Sequence, residues 1–405
     1  MSASHGRPLY LNAFLMATGH HVAGWRHPQA QADGGLDLAH YQRLARLAER
    51  GGFDAIFLSD TLAMLPGGLD ALSRMARTEH FEPLTLLAAL AATTERIGLI
   101  ATATTSYNDP QALAAAFATL ERISGGRAGW NLVTSSNAQE AWNFGHERHP
   151  AHADRYQLAE RFGESVERAW QARGLAPLRV LAGASEAGKA FAASWGEIVF
   201  TAQPELATAQ AFYRDLKQRL AGHGRGEDEL KVMPGVMAFV GRSRAEAEER
   251  RQQLRELLSP VVGLALLSDV AGGVDLSAYP LDGPLPELPP TESGLSRQQL
   301  LVELARKQGL SIRQLYQHIA DARGHLVLTG TGADIADVLE HWLLHAAADG
   351  FNVMPPYLPG GLEAFAEHVL PELRRRGLLE RPGGVRTLRA RLGLRAPAMR
   401  NPHDD

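Results

Sequence analysis

Residues Gly126 to Asn137 read GRAGWNLVTSSN. A glycine-rich approach leads into an apolar run, Trp130 to Val133, and a polar exit through Thr134, Ser135, Ser136 and Asn137. A short apolar run bounded by turn residues reads as a buried strand. A strand that ends in hydroxyls and an amide is built to meet something polar at its C-terminal end. The fold turns on how many similar strands flank this one, and on what connects them.

Upstream, the apolar runs are Leu9–Met16, Asp54–Asp60 and Ile97–Thr105. Downstream they are Arg179–Gly183, Glu197–Gln203, Leu230–Val240 and Gly350–Pro356. Helical patterns separate them: Leu38–Arg50, Glu82–Thr94 with Pro83 in its first turn, Pro110–Ile123 and His152–Ala172. Further helices start near Ser185 and span Pro204–Leu220, Ala245–Leu258 and Leu362–Arg376. Strand–helix alternation implies right-handed parallel crossovers. Eight such units predict an α/β fold, an eight-stranded parallel β/α (TIM) barrel. The alternative is an open sheet with a separate C-terminal helical domain.

One segment breaks the alternation. Residues 259–328 hold a proline-rich coil, AYPLDGPLPELPPTESG, and then helical patterns through LSRQQLLVELARKQGLSIRQLYQHIADA. This is a helical insertion between strands seven and eight, and such insertions serve as lids or interfaces. Its Leu300, Leu301, Leu304, Leu310, Ile312, Leu315 and Ile319 must pack against something; the plainer reading is that they only cover the barrel's own helices. The chain is thus read as one barrel, 1–377, and a tail, 378–405, whose Arg- and Pro-rich part from Glu380 is expected to pack loosely.

Composition narrows the function. The 405 residues are 45% hydrophobic and 21% charged, enough for a sizeable core. A net charge of −4 gives no reason to expect nucleic acid or an anionic membrane as partner. The absence of cysteine excludes disulfides, thiolate catalysis and Cys-ligated metal. The apolar run near the N-terminus reads as the buried first strand rather than a signal peptide. No segment approaches the ~20 apolar residues of a membrane span.

In β/α barrels the functional groups gather at the C-terminal strand ends. Those ends carry His20, His21 and Trp25; Asp60 and Thr61; Thr102, Thr104, Thr105 and Asn108; Asn131, Thr134 and Ser135; Gly183 to Ser185; Asn352 and Met354. Asp60 is the only carboxylate, so paired-carboxylate glycosidase chemistry is not evident. Two-metal hydrolysis lacks ligands, and neither G-x-S-x-G nor G-x-G-x-x-G is present in context. No metal site is expected. A neutral, donor-rich mouth suits a large planar heterocycle. In HADRY, His152 and Tyr156 share a helix face. With GASEAG, which opens a helix, they form a candidate phosphate cradle. Each group has a plainer reading: Asp60 as a helix cap, the threonines as strand-end polarity, His152 and Tyr156 as surface residues, Ser185 as an N-cap, His20 or His21 as a loop residue.

The segments GHHVAGWRHP, EPLTLLAALAATTERIGLIATATTSYNDP, SGGRAGWNLVTSSNAQEAWNFG, HADRY, AGASEAGKAFAA, LSIRQLYQ and DGFNVMPPYLP resemble the nitrilotriacetate monooxygenase component A branch of the bacterial-luciferase-like flavin-dependent monooxygenases. The resemblance covers nearly the whole chain. It implies the same barrel and FMN taken up in reduced form from a separate NAD(P)H-dependent flavin reductase, a transient partner. Oxygen and a small organic substrate complete the reaction, a monooxygenation through a flavin peroxide. The alternatives are a flavin- or deazaflavin-dependent oxidoreductase or lyase on the same barrel, or a protein that holds flavin without turnover. By resemblance the FMN-binding positions fall on Asp60, Thr102, His152, Tyr156 and Ser185. Asn131 lies on the same rim and is expected to reach the ring or the substrate. His21 and Trp25 are candidate substrate-side residues, His21 as a proton or hydrogen-bond donor. A cytoplasmic homodimer or homotetramer is expected. The sequence departs from the branch before Leu178, where relatives carry additional residues, and at Leu181, where they often have Gln; a polar contact of that strand is expected to be lost there.

Overall fold

The computed structural model describes residues 7–64, 68–76, 78–135, 137–289, 295–379 and 386–395. Nine strands form: β1 Tyr10–Leu15, β2 Ala55–Leu58, β3 Gly98–Thr104, β4 Ala128–Val133, β5 Leu178–Ala182, β6 Ile198–Thr201, β7 Lys231–Val240, β8 Leu326–Gly330 and β9 Gly350–Val353. All pair in parallel. Neighbours run β1 to β7 in order, and β9 closes the ring between β7 and β1. This is the closed eight-stranded barrel expected, and the open-sheet alternative falls.

β8 is a ninth strand outside the ring. It pairs only with the upper half of β7, Val236–Val240, which rises beyond the barrel. This corrects the sequence expectation, which places the stretch in the helical insertion and passes over the helix behind it, Gly332–Leu344. The run LVLTG is five residues long and buries alternate side chains, the pattern of a strand covered on one face.

Helices form where local chemistry starts them. Asp37, Glu82 and Asp109 accept backbone N–H groups at the starts of α1 (Leu38–Gly51), α2 (Pro83–Ala91) and α3 (Pro110–Ser124). The last two also carry Pro in the first turn. Then come α4 (His152–Gln171), α5 (Glu186–Trp195), α6 (Leu206–Ala221), α7 (Arg244–Leu257), α8 (Pro260–Val270), α9 (Leu295–Gln308), α10 (Ile312–Ala322) and α11 (Gly332–Leu344). Strand residues alternate between the helix layer and the lumen. On β4, Trp130 points outwards among Phe117, Phe162, Trp170 and Trp195, with its indole N–H on Ala103 O at 3.0 Å. Asn131, next along, points the other way and donates to Thr102 of β3. Leu181, where a polar contact of that strand was expected to be lost, belongs to the outer layer and packs under Gly196.

Three acids set the lower register. Asp54, Glu197 and Asp349 each precede a strand and accept a backbone N–H from the neighbouring one: Leu11 at 2.8 Å, Arg179 at 3.0 Å and Val232 at 2.9 Å. The tail from Glu380 was expected to pack loosely. Its described part instead forms a last short helix, Leu388–Arg391, that plugs the lower end of the lumen. Leu388 and Leu392 are buried against Tyr10, Phe57, Ile100 and Leu178. Gly98 makes room: a Cβ there would sit 2.4 Å from Leu388 Cδ1. With that end closed, the upper end is the lumen's way to solvent.

The insertion folds as its own small core. Val262 and Leu267 of α8, Leu301 of α9, and Ile312, Leu315 and Tyr316 of α10 pack together with Val22 and Ala23 of the loop after β1, and with Ala71 and Met75. Leu304, Leu310 and Ile319 line its edge; the Leu300 side chain lies outside the described residues. The apolar residues singled out in sequence therefore meet loops above the barrel, not merely its outer helices.

Candidate active site

The upper lumen has an apolar floor. Phe14 of β1 and Phe57 of β2 stack at 4.4 Å, and Phe200 of β6 meets both edge-on at 5.3 and 5.7 Å. His325, just before β8, stacks on Phe200 at 5.1 Å and 5°. Gly235 of β7 leaves it space, since a Cβ there would lie 2.4 Å from His325 Nδ1. Desolvation, helped by the nearby Arg323 charge, pulls the His325 pKa down to about 4, so the ring is neutral at ordinary pH.

Above this floor stands a polar wall on β3 and β4. Thr102 donates to Leu58 O at 2.8 Å and accepts from Asn131 Nδ2 at 2.9 Å. Asn131 is 3% exposed, and its Oδ1 is buried without a hydrogen-bond partner. A buried carbonyl oxygen left so is costly unless a ligand completes it. At the end of β4, Ser135 takes a left-handed backbone (φ 52°) and sets its Oγ between Thr104 Oγ1, at 2.8 Å, and the buried Glu140 carboxylate. Glu140 also receives Thr61 Oγ1 at 3.3 Å. Sequence reasoning missed Glu140, which lies in no strand; its only signal was nearness to the strand exit.

Asp60 follows β2 and is mostly shielded. No helix starts at Thr61 to Met64, so Asp60 is no helix cap. It accepts from His80 Nε2 at 3.2 Å and from the Thr61 N–H at 2.9 Å. The Asp60 hydrogen bond raises the His80 pKa above its ordinary value. Tyr156 OH lies 3.0 Å from Ser185 Oγ. Ser185 caps α5 by accepting the Gly188 N–H at 3.1 Å and is exposed. The other first-turn N–H groups of that helix have no intrahelical acceptor. His152 opens α4, but its side chain lies outside the described residues. Arg155 ties α4 to the end of β4 through Ser135 O and His149.

His20 and His21 are both buried and engage different partners. His20 Nε2 meets Phe14 O at 2.9 Å, and His21 Nδ1 accepts from the Ala23 N–H at 3.2 Å. In the neutral ring this puts the His21 proton on Nε2. Trp25 lies in the following 3₁₀ turn, and its indole N–H is buried without an acceptor. The structure thus joins Asn131 with Thr102 and Tyr156 with Ser185. It sets Asp60 apart with His80, and His21 and Trp25 on the loop under the insertion. Asn352, read as a strand-end group, is instead tied inside the lumen to Asn12 at 3.1 Å and Met233 O at 2.9 Å.

The arrangement offers a dry aromatic floor, an orphan acceptor above it and an open helix start at one side. A planar ring system carrying a phosphate fits those three features. Comparison with known proteins identifies the family. The family model for luciferase-like monooxygenases matches residues 14–342. Nitrilotriacetate monooxygenase component A of Aminobacter aminovorans is 41% identical, covering 96% of this chain and 97% of its own. That alignment runs over 441 positions, longer than this chain, so the relative carries segments absent here. N-acetyl-S-(2-succino)cysteine monooxygenase of Bacillus subtilis is 40% identical, with 98% of this chain and 99% of the relative covered. The solved EDTA monooxygenase of Chelativorans sp. BNC1 superposes with a TM-score of 0.80 at 28% identity, over 96% of this chain and 99% of that one. The chain belongs to the luciferase-like monooxygenases and is a flavin-dependent enzyme of that family.

Proposed function

We propose that this chain is the oxygenase of a two-component system, receiving reduced FMN from a separate NAD(P)H-dependent flavin reductase and oxygenating a small organic substrate. The observation that carries the reading is the buried, unpartnered Oδ1 of Asn131 above the Phe14–Phe57–Phe200 floor. When bound, the reduced flavin supplies the oxygen-activating chemistry.

The chain's residues do the rest. Asn131 accepts a ring N–H, held in orientation by Thr102, whose hydroxyl is itself fixed on Leu58 O. The phenylalanine floor and neutral His325 keep the lumen side of the ring dry. Ser185, Tyr156 and the start of α5 take the phosphate. Asp60, braced by His80, is a polar contact at the β2 rim. His21 offers its Nε2 proton, and Trp25 its unused indole N–H, to substrate or oxygen.

The test is oxygen labelling. The chain is mixed with FMN, a flavin reductase, NADH, labelled oxygen gas and a panel of small acids, amines and sulfur compounds that includes nitrilotriacetate. A product carrying one labelled atom supports the reading. Turnover that proceeds equally without oxygen favours a non-oxygenase flavin enzyme, and flavin binding without turnover across the panel favours a binding protein.

A further inference from the structure

Arg323 ends α10 in a left-handed backbone (φ 51°), a position where glycine or asparagine is usual, and Gly324 follows it. Its guanidinium reaches across the upper end of the barrel to Met16, beyond β1, at 3.9 Å from the thioether sulfur. The residue is exposed to solvent, yet protein surrounds it closely enough for desolvation to lower its pKa.

Other cations around this end are engaged. Arg26 donates to Leu257 O, Arg155 to Ser135 O, and His80 to Asp60. The nearest carboxylate in sequence, Asp321, receives both Arg251 and Arg255. Among the described residues Arg323 makes no ion pair, and its one hydrogen-bond contact is with Met16 sulfur. A solvent-facing guanidinium at the barrel's upper end with no counter-charge among the described residues is a ready site for a bidentate anion.

The flavin phosphate is not that anion. Ser185 follows β5 and Met16 follows β1, and these two strands stand opposite each other in the eight-membered ring. Arg323 instead faces the side where the insertion packs on the His21–Trp25 loop.

We propose that Arg323 is the substrate-recognising cation at this end of the barrel and that the substrate carries a carboxylate. The proposal rests on the monooxygenase reading for the word substrate, but anion binding is measurable without turnover. The test uses the protein loaded with reduced FMN and kept free of oxygen. Nitrilotriacetate, tricarballylate and glutarate, each beside its neutral amide, are titrated by ligand-observed NMR. The variants are R323G, whose glycine accepts the left-handed backbone and so preserves the fold, and R323K, which keeps the charge. At least one acid is expected to bind the native chain at least tenfold tighter than its amide. R323G should erase that preference and R323K should restore part of it, with reduced-FMN affinity unchanged in both. The proposal is overturned if no acid is preferred over its amide, if R323G keeps the preference, or if R323G weakens flavin binding instead. Failure of the monooxygenase reading shows separately, as unlabelled product in the oxygen experiment.

Discussion

Asn131 and Thr102 face each other across the β3–β4 pair, and the 2.9 Å bond between them uses the asparagine N–H while leaving its carbonyl oxygen buried and unpartnered. Two effects oppose each other in Asn131→Ala. The bond to Thr102 is lost, but so is the orphan oxygen. We expect little change in melting temperature, while affinity for reduced FMN falls by about 1–3 kcal/mol. Anaerobic fluorescence titration measures the second quantity. Unchanged affinity with an intact fold would remove Asn131 from the flavin site.

His325 gives a pH signature. Its folded pKa of about 4 lies below the unfolded value near 6.5, so the unfolded chain binds the proton more readily. Its contribution is therefore complete above about pH 6.5 and is lost as pH falls towards about 4. At pH 4.5 the native chain should have lost roughly 2 kcal/mol through this group. His325→Phe retains the stack on Phe200 but cannot titrate. Urea melts from pH 7 to 4.5 should show the variant losing less stability than the native chain by about that amount. Parallel curves for the two would mean that His325 titrates normally.

Leu388 tests the plug. It is 1% exposed beneath the lumen, against Gly98. Leu388→Ala should cost about 2–5 kcal/mol of stability, the range for a buried leucine truncated in a packed core. Chemical denaturation reads this directly, and an unchanged midpoint would return the segment to the loose tail first expected.

The barrel was legible because its signals are local. Each ring strand is an apolar run between turn residues, and Pro83, Pro110 and the acids before them start helices by themselves. β8 was not legible, since LVLTG is short and half-covered and follows a long helical insertion. The plug was hidden for another reason. Leu388, Leu392 and Leu394 are apolar points in an Arg-rich segment, and only the closed ring gives them somewhere to go. The strand-end rule placed Asn131, Thr102 and Ser185 at the upper end of the barrel, because position along a strand is written in the sequence. It could not find His325, Arg323 or Glu140, which reach the same end of the barrel from connections whose path only the tertiary fold fixes.

The central claim is that a flavin sits on the Phe14–Phe57–Phe200 floor with its phosphate at Ser185 and Tyr156. FMN and riboflavin differ only in that phosphate, so competitive anaerobic titration of the two reduced flavins tests it most directly. The account predicts FMN binding tighter by at least about tenfold, since charge-assisted hydrogen bonds from a helix start and a phenol act on the phosphate alone. Tyr156→Phe should narrow the gap by about 0.5–1.5 kcal/mol. Equal affinity for the two flavins, or a gap that Tyr156→Phe leaves untouched, would contradict it.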